Sequence, residues 1–310
     1  MKMKKIMTAI LAAAMLMPVS AAADVGYDGY VYFSAERLTI GQGLVQKPAK
    51  IGFFEGETIA DITERALEGM TISRGSVEGM DYYLQGLRDG GEPAGWNQDM
   101  IPKQIMDAIK KSEGAEGEVD RVYLCGRENP ELLEEFDYTN KSGWVYAQNH
   151  VGIPLGASRM EVADGDVIRL SFTIYGYGAD VFDNSQWGSG KLYDLANKDQ
   201  LVLTLAEYEG DTEAAVYKGA MTVMEDWDAA QGTVDMVTEA LAAGGELEPV
   251  VGDVNGDFSV DRQDANLVLK YIVGKTELTE DQFLAADVNG DAAVNVLDAK
   301  LMLDMGAGLQ

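Results

Sequence analysis

Short apolar runs rich in β-branched and aromatic residues, separated by Gly and Asp, dominate the chain from residue 25 to about residue 174. Runs of this length between turn-forming residues predict β-strands. One helix is predicted after the second run, because Thr58 and Asp61 form a cap-like pair ahead of apolar residues at helical spacing. The pattern indicates an α+β domain with a mostly antiparallel sheet. Its strands are predicted at residues 30–33, 50–54, 119–124, 144–148 and 166–174.

The period of the pattern changes near residue 198, and from there to residue 243 it is helical and rich in Ala. Val234, Val237 and Leu241 fall on one helix face, and the spacing of Asp228 and Gln231 predicts a capping box. We therefore expect a small helical bundle or hairpin over residues 196–245, serving as a spacer. Residues 246–250 then form a short acidic linker.

The first 23 residues have the pattern of an export signal. Three lysines precede an apolar stretch that ends before Pro18, and a small-x-small run of alanines follows. A membrane-spanning helix needs roughly 18 apolar residues, more than this stretch or any later segment provides. We expect residues 1–23 to be cleaved as a signal peptide, the protein to be secreted, and no segment to insert into a membrane.

Charge and composition exclude several classes of function. The 310 residues include 24 Lys and Arg against 52 Asp and Glu, a formal net charge of −28, which would repel a nucleic-acid backbone. Cys125 and His150 are the only residues of their types, so disulfide frameworks and Cys/His zinc sites are excluded. No nucleophile elbow, zinc-protease motif or phosphate loop occurs in the sequence, and we assign no catalytic residue.

The strongest signal is a duplicated acidic motif near the C-terminus. The sequence Asp-Val-Asn-Gly-Asp begins at Asp253 and again 34 positions later at Asp287. Calcium takes six to eight oxygen ligands, which a twelve-residue loop can provide from positions one, three, five, seven, nine and twelve. We therefore predict two calcium ions. The predicted ligands are Asp253, Asn255, Asp257, the carbonyl of Ser259, Asp261 and Asp264 in the first loop, and Asp287, Asn289, Asp291, the carbonyl of Ala293, Asn295 and Asp298 in the second.

A helical apolar pattern follows each loop, with Leu267 and Tyr271 after the first and Leu301, Met302 and Met305 after the second. Here the sequence resembles a type I dockerin, over residues 251–308. Asp rather than Glu at position twelve, and Gly at position four rather than six, separate both loops from the EF-hand pattern. The resemblance implies an all-α module of two calcium loop–helix repeats that binds a cohesin on a scaffoldin.

The resemblance also implies which residues contact the partner, namely loop positions ten and eleven and the helix face that follows. In the first repeat these are Arg262, Gln263, Leu269 and Lys270, and in the second they are Val296, Leu297, Leu303 and Asp304. The two faces are unlike, which suggests that one of them is used. For Val296, Leu297 and Leu303 an ordinary place in the hydrophobic core remains the alternative.

The N-terminal domain, taken as residues 24–180, is similar to a family of unknown function related to the C-terminal domain of transcobalamin. The similarity lies in residues 38–43, 54–57, 81–84, 142–146 and 164–168. The resemblance implies a β-grasp-like sheet and does not transfer cobalamin binding. Trp144 and Tyr146 face the same side of their predicted strand, as a ligand platform or as plain core.

Together these features predict a secreted, calcium-dependent docking protein. Its dockerin would bind a cohesin on the scaffoldin of a cellulosome-like assembly that degrades polysaccharides, which would hold the protein outside the cell or at its surface. The N-terminal domain would be a non-catalytic binding or adhesion domain for a glycan or a small molecule. Two alternatives stay open: a tethered capture protein for a corrinoid-like ligand, and a small O-glycosyl hydrolase, which would need two placed carboxylates.

Overall fold

The computed structural model describes residues 26–70, 72–74, 82–113, 121–183, 185, 190–245, 250–256 and 258–306. The predicted signal peptide, most of the predicted linker and Asp257 lie outside the described residues. The described chain is mixed α+β, with the sheets in its N-terminal part and the helices of the predicted calcium-binding region at its C-terminal end.

A five-stranded sheet forms the centre of the N-terminal part. The strands of the chain are β1 (Gly29–Glu36), β2 (Leu44–Phe53), β3 (Ile72–Arg74), β4 (Leu84–Leu87), β5 (Leu133–Glu134), β6 (Gly143–Gln148), β7 (Val151–Gly152) and β8 (Val167–Thr173). The large sheet has the order β2-β1-β8-β6-β7, in which β1 and β8 are parallel and the other pairs are antiparallel. Strands β3, β4 and β5 form a small antiparallel sheet.

The predicted strand at residues 119–124 is wrong for its described part. Residues 121–124 contain only an isolated bridge, from Leu124 to Thr139. The backbone N–H groups of Val122 and Tyr123 donate instead to side chains, the Ser112 hydroxyl at 2.9 Å and the Asn140 amide oxygen at 2.9 Å. Side chains from the helix that contains Ser112 and from the turn before β6 therefore satisfy these two N–H groups, in place of a neighbouring strand.

The large sheet is covered on both faces. Alternate residues of β1 and β8, such as Phe33 and Leu170, enter a core shared with the helices α1 (Ile59–Ala66) and α2 (Lys103–Glu113). The side chains of Tyr32 and Val167 point to the opposite face and pack against three further helices. The capping box at the start of α1 is confirmed, since the Thr58 N–H donates to Asp61 Oδ2 at 2.8 Å.

The three helices on that second face are α3 (Asp199–Ala206), α4 (Ala215–Glu225) and α5 (Gln231–Ala242). Because they pack directly on the sheet and share a second hydrophobic core with Tyr32 and Val167, they form a layer of the sheet domain rather than a spacer. The predicted capping box of α5 is wrong: the helix begins at Gln231, whose side chain exchanges hydrogen bonds of 2.7 and 3.2 Å with the backbone of Asn197. Asp228 accepts a hydrogen bond from Gln104. Both side chains are thus used in contacts between elements.

Charged groups lie buried between the sheet and this helical layer. Arg169 donates to both carboxylate oxygens of Glu36, with Nε to Oε1 at 2.8 Å and Nη2 to Oε2 at 2.7 Å. Burial alone would raise the pKa of Glu36, but the Arg169 guanidinium holds it below its usual value. Nearby, burial lowers the pKa of Lys198 to about 8, and its ammonium group donates to the Met224 carbonyl at 3.1 Å.

A second buried carboxylate stands where β8 ends. Asp180 accepts hydrogen bonds from the Thr173 hydroxyl and from the backbone N–H groups of Ile174 at 2.9 Å and Tyr175 at 3.1 Å. Burial nevertheless raises its pKa to about 6, because the charged form loses its hydration. The turn after the central strand is therefore built around an aspartate that is protonated more readily than usual.

The C-terminal region contains α6 (Arg262–Ile272), α7 (Glu280–Ala286) and α8 (Val296–Gly306). They enclose a small core of their own, made of Val254, Ala265, Val268, Ala286, Ala299 and Met302. Helix α7 was not predicted from the sequence, although a capping box of Thr279 and Gln282 marks its start. No helix among the described residues is long and apolar enough to cross a bilayer.

Candidate functional site

The first acidic loop folds around the carboxylate at its position one. Asp253 accepts hydrogen bonds from the backbone N–H groups of Gly256 at 2.7 Å and Phe258 at 2.9 Å. Gly256 adopts a left-handed conformation with φ of 81°, which a residue without a Cβ tolerates at little cost. The side chain of Asp253 therefore holds the tight turn that brings the later loop positions back toward it.

The aspartate at position twelve closes the loop from the other end. Asp264 is fully buried, and its carboxylate accepts from the N–H groups of Val254 at 2.7 Å, Asn255 at 3.0 Å and Asp261 at 2.9 Å. Burial raises the pKa of Asp264. One side chain from the first turn of α6 thus fixes both the start and the end of the loop backbone.

The second loop repeats this arrangement. Asp287 accepts from the N–H groups of Asp291 at 3.0 Å and Ala292 at 2.8 Å. Asp298 is fully buried, and it accepts from Asn289 at 3.4 Å and Asn295 at 2.9 Å. The two loops therefore have equivalent folds, as their identical Asp-Val-Asn-Gly-Asp motifs predict.

Position nine of each loop begins the following helix. The Asp261 carboxylate accepts from the Gln263 N–H at 2.5 Å, and the Asn295 amide oxygen accepts from the Leu297 N–H at 2.8 Å. Such caps satisfy N–H groups that a helix leaves without intrahelical partners. This explains why α6 and α8 start three residues earlier than the apolar pattern at Ala265 and Ala299 indicates.

The remaining predicted ligands differ from one loop to the other in their exposure and hydrogen bonds. Asn289 and Asp291 lie on the exposed side of the second loop, where each accepts a backbone hydrogen bond, and the Ala293 carbonyl accepts from the Asn295 side chain at 3.1 Å. Asn255 is exposed and Ser259 is half-buried. Asp257 lies outside the described residues. In the part of the chain that the structure describes, no three acidic, His or Cys side chains converge closely enough to hold a metal ion.

The donor set nevertheless fits a hard divalent cation. Every predicted ligand atom is an oxygen, which calcium prefers over nitrogen or sulfur. The two carboxylates at position twelve, Asp264 and Asp298, are fully buried, and among the described residues no Lys or Arg pairs with either. A buried carboxylate without a cation is costly, so a bound cation would stabilise both loops.

Comparison with known families identifies this region. A family model described as the dockerin type I domain matches residues 251–304. These residues form a type I dockerin domain. Type I dockerins are calcium-binding modules, in agreement with the oxygen-rich loops. No curated protein and no solved structure matches the chain, so the resemblance of the N-terminal domain to the transcobalamin-related family stays a prediction.

Several apolar side chains on the dockerin surface are open to solvent. On α8, Val296 is 61% exposed, Leu297 50% and Leu303 42%. The alternative that these three residues are core is therefore wrong; the core of the dockerin is formed instead by Val254, Ala265, Val268, Ala286, Ala299 and Met302. Asp304, the fourth predicted residue of this face, is half-buried and pairs with Lys300.

The corresponding face of the first repeat has a different character. Arg262, Gln263 and Lys270 are exposed, and Leu269 is the only predicted apolar residue among the four. The two faces are therefore basic and polar in the first repeat and mainly apolar in the second, as their sequences indicate.

Trp144 and Tyr146 both belong to the sheet core. The Trp144 indole N–H donates to the Leu133 carbonyl at 2.9 Å, and its ring meets Phe172 edge-on with the centroids 5.3 Å apart. Tyr146 packs against the same core, and burial raises the pKa of its hydroxyl well above the usual value. Their strand, β6, also forms one wall of a cleft of about 500 Å³. Trp144 and Tyr146 themselves line this cleft, so the alternative of a ligand platform stays a prediction; the cleft as a whole was not predicted from the sequence.

Proposed function

We propose that this chain is a secreted, calcium-dependent docking protein whose dockerin binds a cohesin module on a scaffoldin. Dockerin domains provide this docking in cellulosome-like assemblies. The observation that carries the proposal is the duplicated unit of an oxygen-rich loop, a fully buried aspartate at position twelve and a capped helix. The family match over residues 251–304 supports it. The dockerin would then attach the α+β part of the chain to the assembly.

We further propose two calcium ions, one in each loop. The ion in the first loop would be held by Asp253, Asn255, Asp257, Asp261, Asp264 and the Ser259 carbonyl. The ion in the second would be held by Asp287, Asn289, Asp291, Asn295, Asp298 and the Ala293 carbonyl. Bound calcium supplies positive charge that offsets the mutual repulsion of these carboxylates. The role of the protein is to position the oxygens through the backbone hydrogen bonds and helix caps described above.

The apolar face of the second repeat is proposed as the centre of the cohesin contact. Val296, Leu297 and Leu303 remain in water in the isolated chain, and burying such side chains stabilises a complex by roughly 25 cal/mol for each Å². Arg262, Gln263, Leu269 and Lys270 on the first repeat would contact the partner as a polar rim, or would bind it in a second orientation. Rim contacts generally contribute little affinity, and central apolar anchors contribute most of it.

The face can be tested with a panel of type I cohesins and the full chain in excess calcium. We expect Leu297→Ala to weaken cohesin binding roughly tenfold, as truncation of a central anchor does. Leu284→Ala is the matched control, because Leu284 is a leucine on α7 that is even more exposed than Leu297 and lies outside both faces; it should change the affinity less than about twofold. Equal effects of the two variants would contradict the proposed face, and failure to bind any cohesin would contradict the docking function.

We also propose that the large sheet is β-grasp-like. Its support is the chain path: a β1–β2 hairpin is followed by helix α1, and the last strand, β8, returns to the centre of the sheet parallel to β1. The export signal is supported by the lysine-rich start, the apolar stretch and the small residues that follow.

A further inference from the structure

The cleft beside β6 has the size and lining of a small-molecule site. Its volume of about 500 Å³ falls within the roughly 300–1,000 Å³ of ligand pockets in proteins. Most of its described lining consists of aromatic and aliphatic side chains, which lie on β6 and on loops far apart in the sequence. Those that matter most here are Tyr83, Phe136, Trp144, Leu155, Tyr177 and Phe182.

Two aromatic residues at the cleft are held in unfavourable positions. Phe136 and Tyr177 are 57% and 56% exposed, and both adopt left-handed backbone conformations, with φ of 68° and 54°. Large side chains rarely adopt this conformation, and exposure of their rings to water adds a second cost. A ligand that covers both rings would recover the cost of exposure, which is the physical reason to regard this cleft as a site.

The described lining contains one cation, Lys141, that can pair with a negatively charged ligand. The Glu135 carboxylate accepts a hydrogen bond from the Tyr83 hydroxyl and is thereby engaged. Lys141 donates to the Tyr177 hydroxyl at 2.9 Å, and its ammonium nitrogen lies 5.1 Å from the centre of that ring. No carboxylate among the described residues pairs with Lys141, although the chain carries a net charge of −28.

We propose that this cleft binds a small amphipathic molecule with a planar aromatic or apolar body and one anionic group. The body stacks on Phe136 and Tyr177, and the anionic group pairs with the Lys141 ammonium. Aromatic contacts of this kind contribute about 0.5–1.5 kcal/mol each beyond their buried area. A hydrogen-bonded charge contributes about 1.5–3 kcal/mol. The proposal is independent of cohesin docking, because every residue it uses lies outside the dockerin.

Two fluorescent probes separate the apolar and the charged parts of the proposal. One is 8-anilinonaphthalene-1-sulfonate, and the other is N-phenyl-1-naphthylamine, which has the same rings without the sulfonate. Both are titrated into residues 24–310, the chain without its predicted signal peptide, in excess calcium. We expect saturable binding of each probe at one site. Phe136→Ala should weaken both probes about fivefold or more, whereas Lys141→Met should weaken only the sulfonate by that factor.

Two control variants locate the binding. Tyr123→Ala removes an exposed tyrosine outside the cleft, and Leu297→Ala removes part of the apolar dockerin face, where the probes could also bind. Both should leave each affinity within about twofold. The circular dichroism of each variant should match that of the parent chain, and Phe136→Leu provides a milder substitution if Phe136→Ala does not fold.

Three results would overturn the proposal. Absence of saturable binding, or equal affinities of the parent chain and Phe136→Ala for both probes, would show that the cleft is not the site. Equal weakening of both probes by Lys141→Met would remove the anionic requirement. Displacement of the sulfonate probe by a neutral cello-oligosaccharide would show that the cleft takes a glycan instead.

Discussion

Asp264 offers the sharpest test of how calcium stabilises the dockerin. Its carboxylate is fully buried and accepts three backbone hydrogen bonds of 2.7, 3.0 and 2.9 Å. Asp264→Ala has two separable effects: it removes these hydrogen bonds whether or not calcium is present, and it removes a charged metal ligand only when calcium is bound. The difference between the two conditions therefore isolates the calcium contribution.

The expected size of that difference follows from linkage. Loss of the three hydrogen bonds costs on the order of 1–3 kcal/mol in both conditions, and removal of a buried charge offsets part of this cost when calcium is absent. Removal of a group that only hydrogen-bonds to a metal ligand weakens metal binding about 10–100-fold. Loss of the charged ligand Asp264 itself is therefore expected to weaken calcium binding by at least roughly 100-fold. At saturating calcium this removes about 2.7 kcal/mol of the stabilisation that calcium provides.

Hydrogen exchange detected by mass spectrometry on the full chain measures this quantity locally, from peptides of α6 and α8. In the parent chain, calcium should slow exchange in these helices relative to chelator, and Asp264→Ala should lose about a hundredfold of that slowing. Asp281→Ala is the control, since Asp281 is an exposed aspartate at the start of α7 outside both loops. If Asp264→Ala gains as much protection from calcium as the parent chain, the assigned role of Asp264 as a ligand is refuted.

Four further predictions follow from other parts of the structure. Asn295→Asp gives the second loop the carboxylate that the first loop has at position nine, so calorimetry should show tighter calcium binding at one site. Arg169→Met leaves Glu36 buried without its partner and should lower the free energy of unfolding, measured in urea at pH 7, by about 3–5 kcal/mol. The double variant with Glu36→Gln should recover much of this loss. If the effects of the two substitutions on the free energy of unfolding simply add, the two side chains are not coupled. The raised pKa of Asp180 means that the folded state binds the extra proton between about pH 4 and pH 6. As the pH rises through that window, the free energy of unfolding of the parent chain should fall by up to about 3 kcal/mol relative to that of Asp180→Asn. A difference between the two free energies that stays constant with pH would exclude this effect. Ala292→Gly relieves a left-handed backbone, with φ of 62°, at loop position six and should raise the melting temperature of the dockerin through a gain of up to about 1 kcal/mol; a lower melting temperature would show that the strain estimate is wrong.

The dockerin was predictable because its information is local. Twelve consecutive residues contain every element of a loop, and the duplication at Asp253 and Asp287 identifies the pattern without knowledge of the tertiary structure. The starts of α6 and α8 were predicted three residues late, because apolar spacing does not show that Asp261 and Asn295 act as both loop residues and caps. The resemblance implied that Val296 and Leu297 face a partner, whereas apolar spacing alone left a place in the core open, since exposure depends on how α8 packs against α6.

The aromatic cleft could not be predicted because its walls come together only in the folded chain. Phe136 and Tyr177 lie 41 positions apart in the sequence and reach the cleft through left-handed turns that no glycine marks at those positions. Trp144 and Tyr146 were recognised as possible core or ligand residues, and the structure places both against the sheet core and in the lining of the cleft. Local rules likewise failed at Asp228 and Gln231, where contacts with residues distant in sequence replace a helix cap.

Calcium-dependent binding of a cohesin tests the account most directly. The full chain and a version that ends at residue 245 are compared on immobilised type I cohesins, first with millimolar calcium and then with excess chelator. The account predicts that the full chain binds at least one cohesin in calcium, releases it in chelator, and that the shortened chain binds none. Binding that persists in chelator, or binding by the chain without its dockerin, would contradict it.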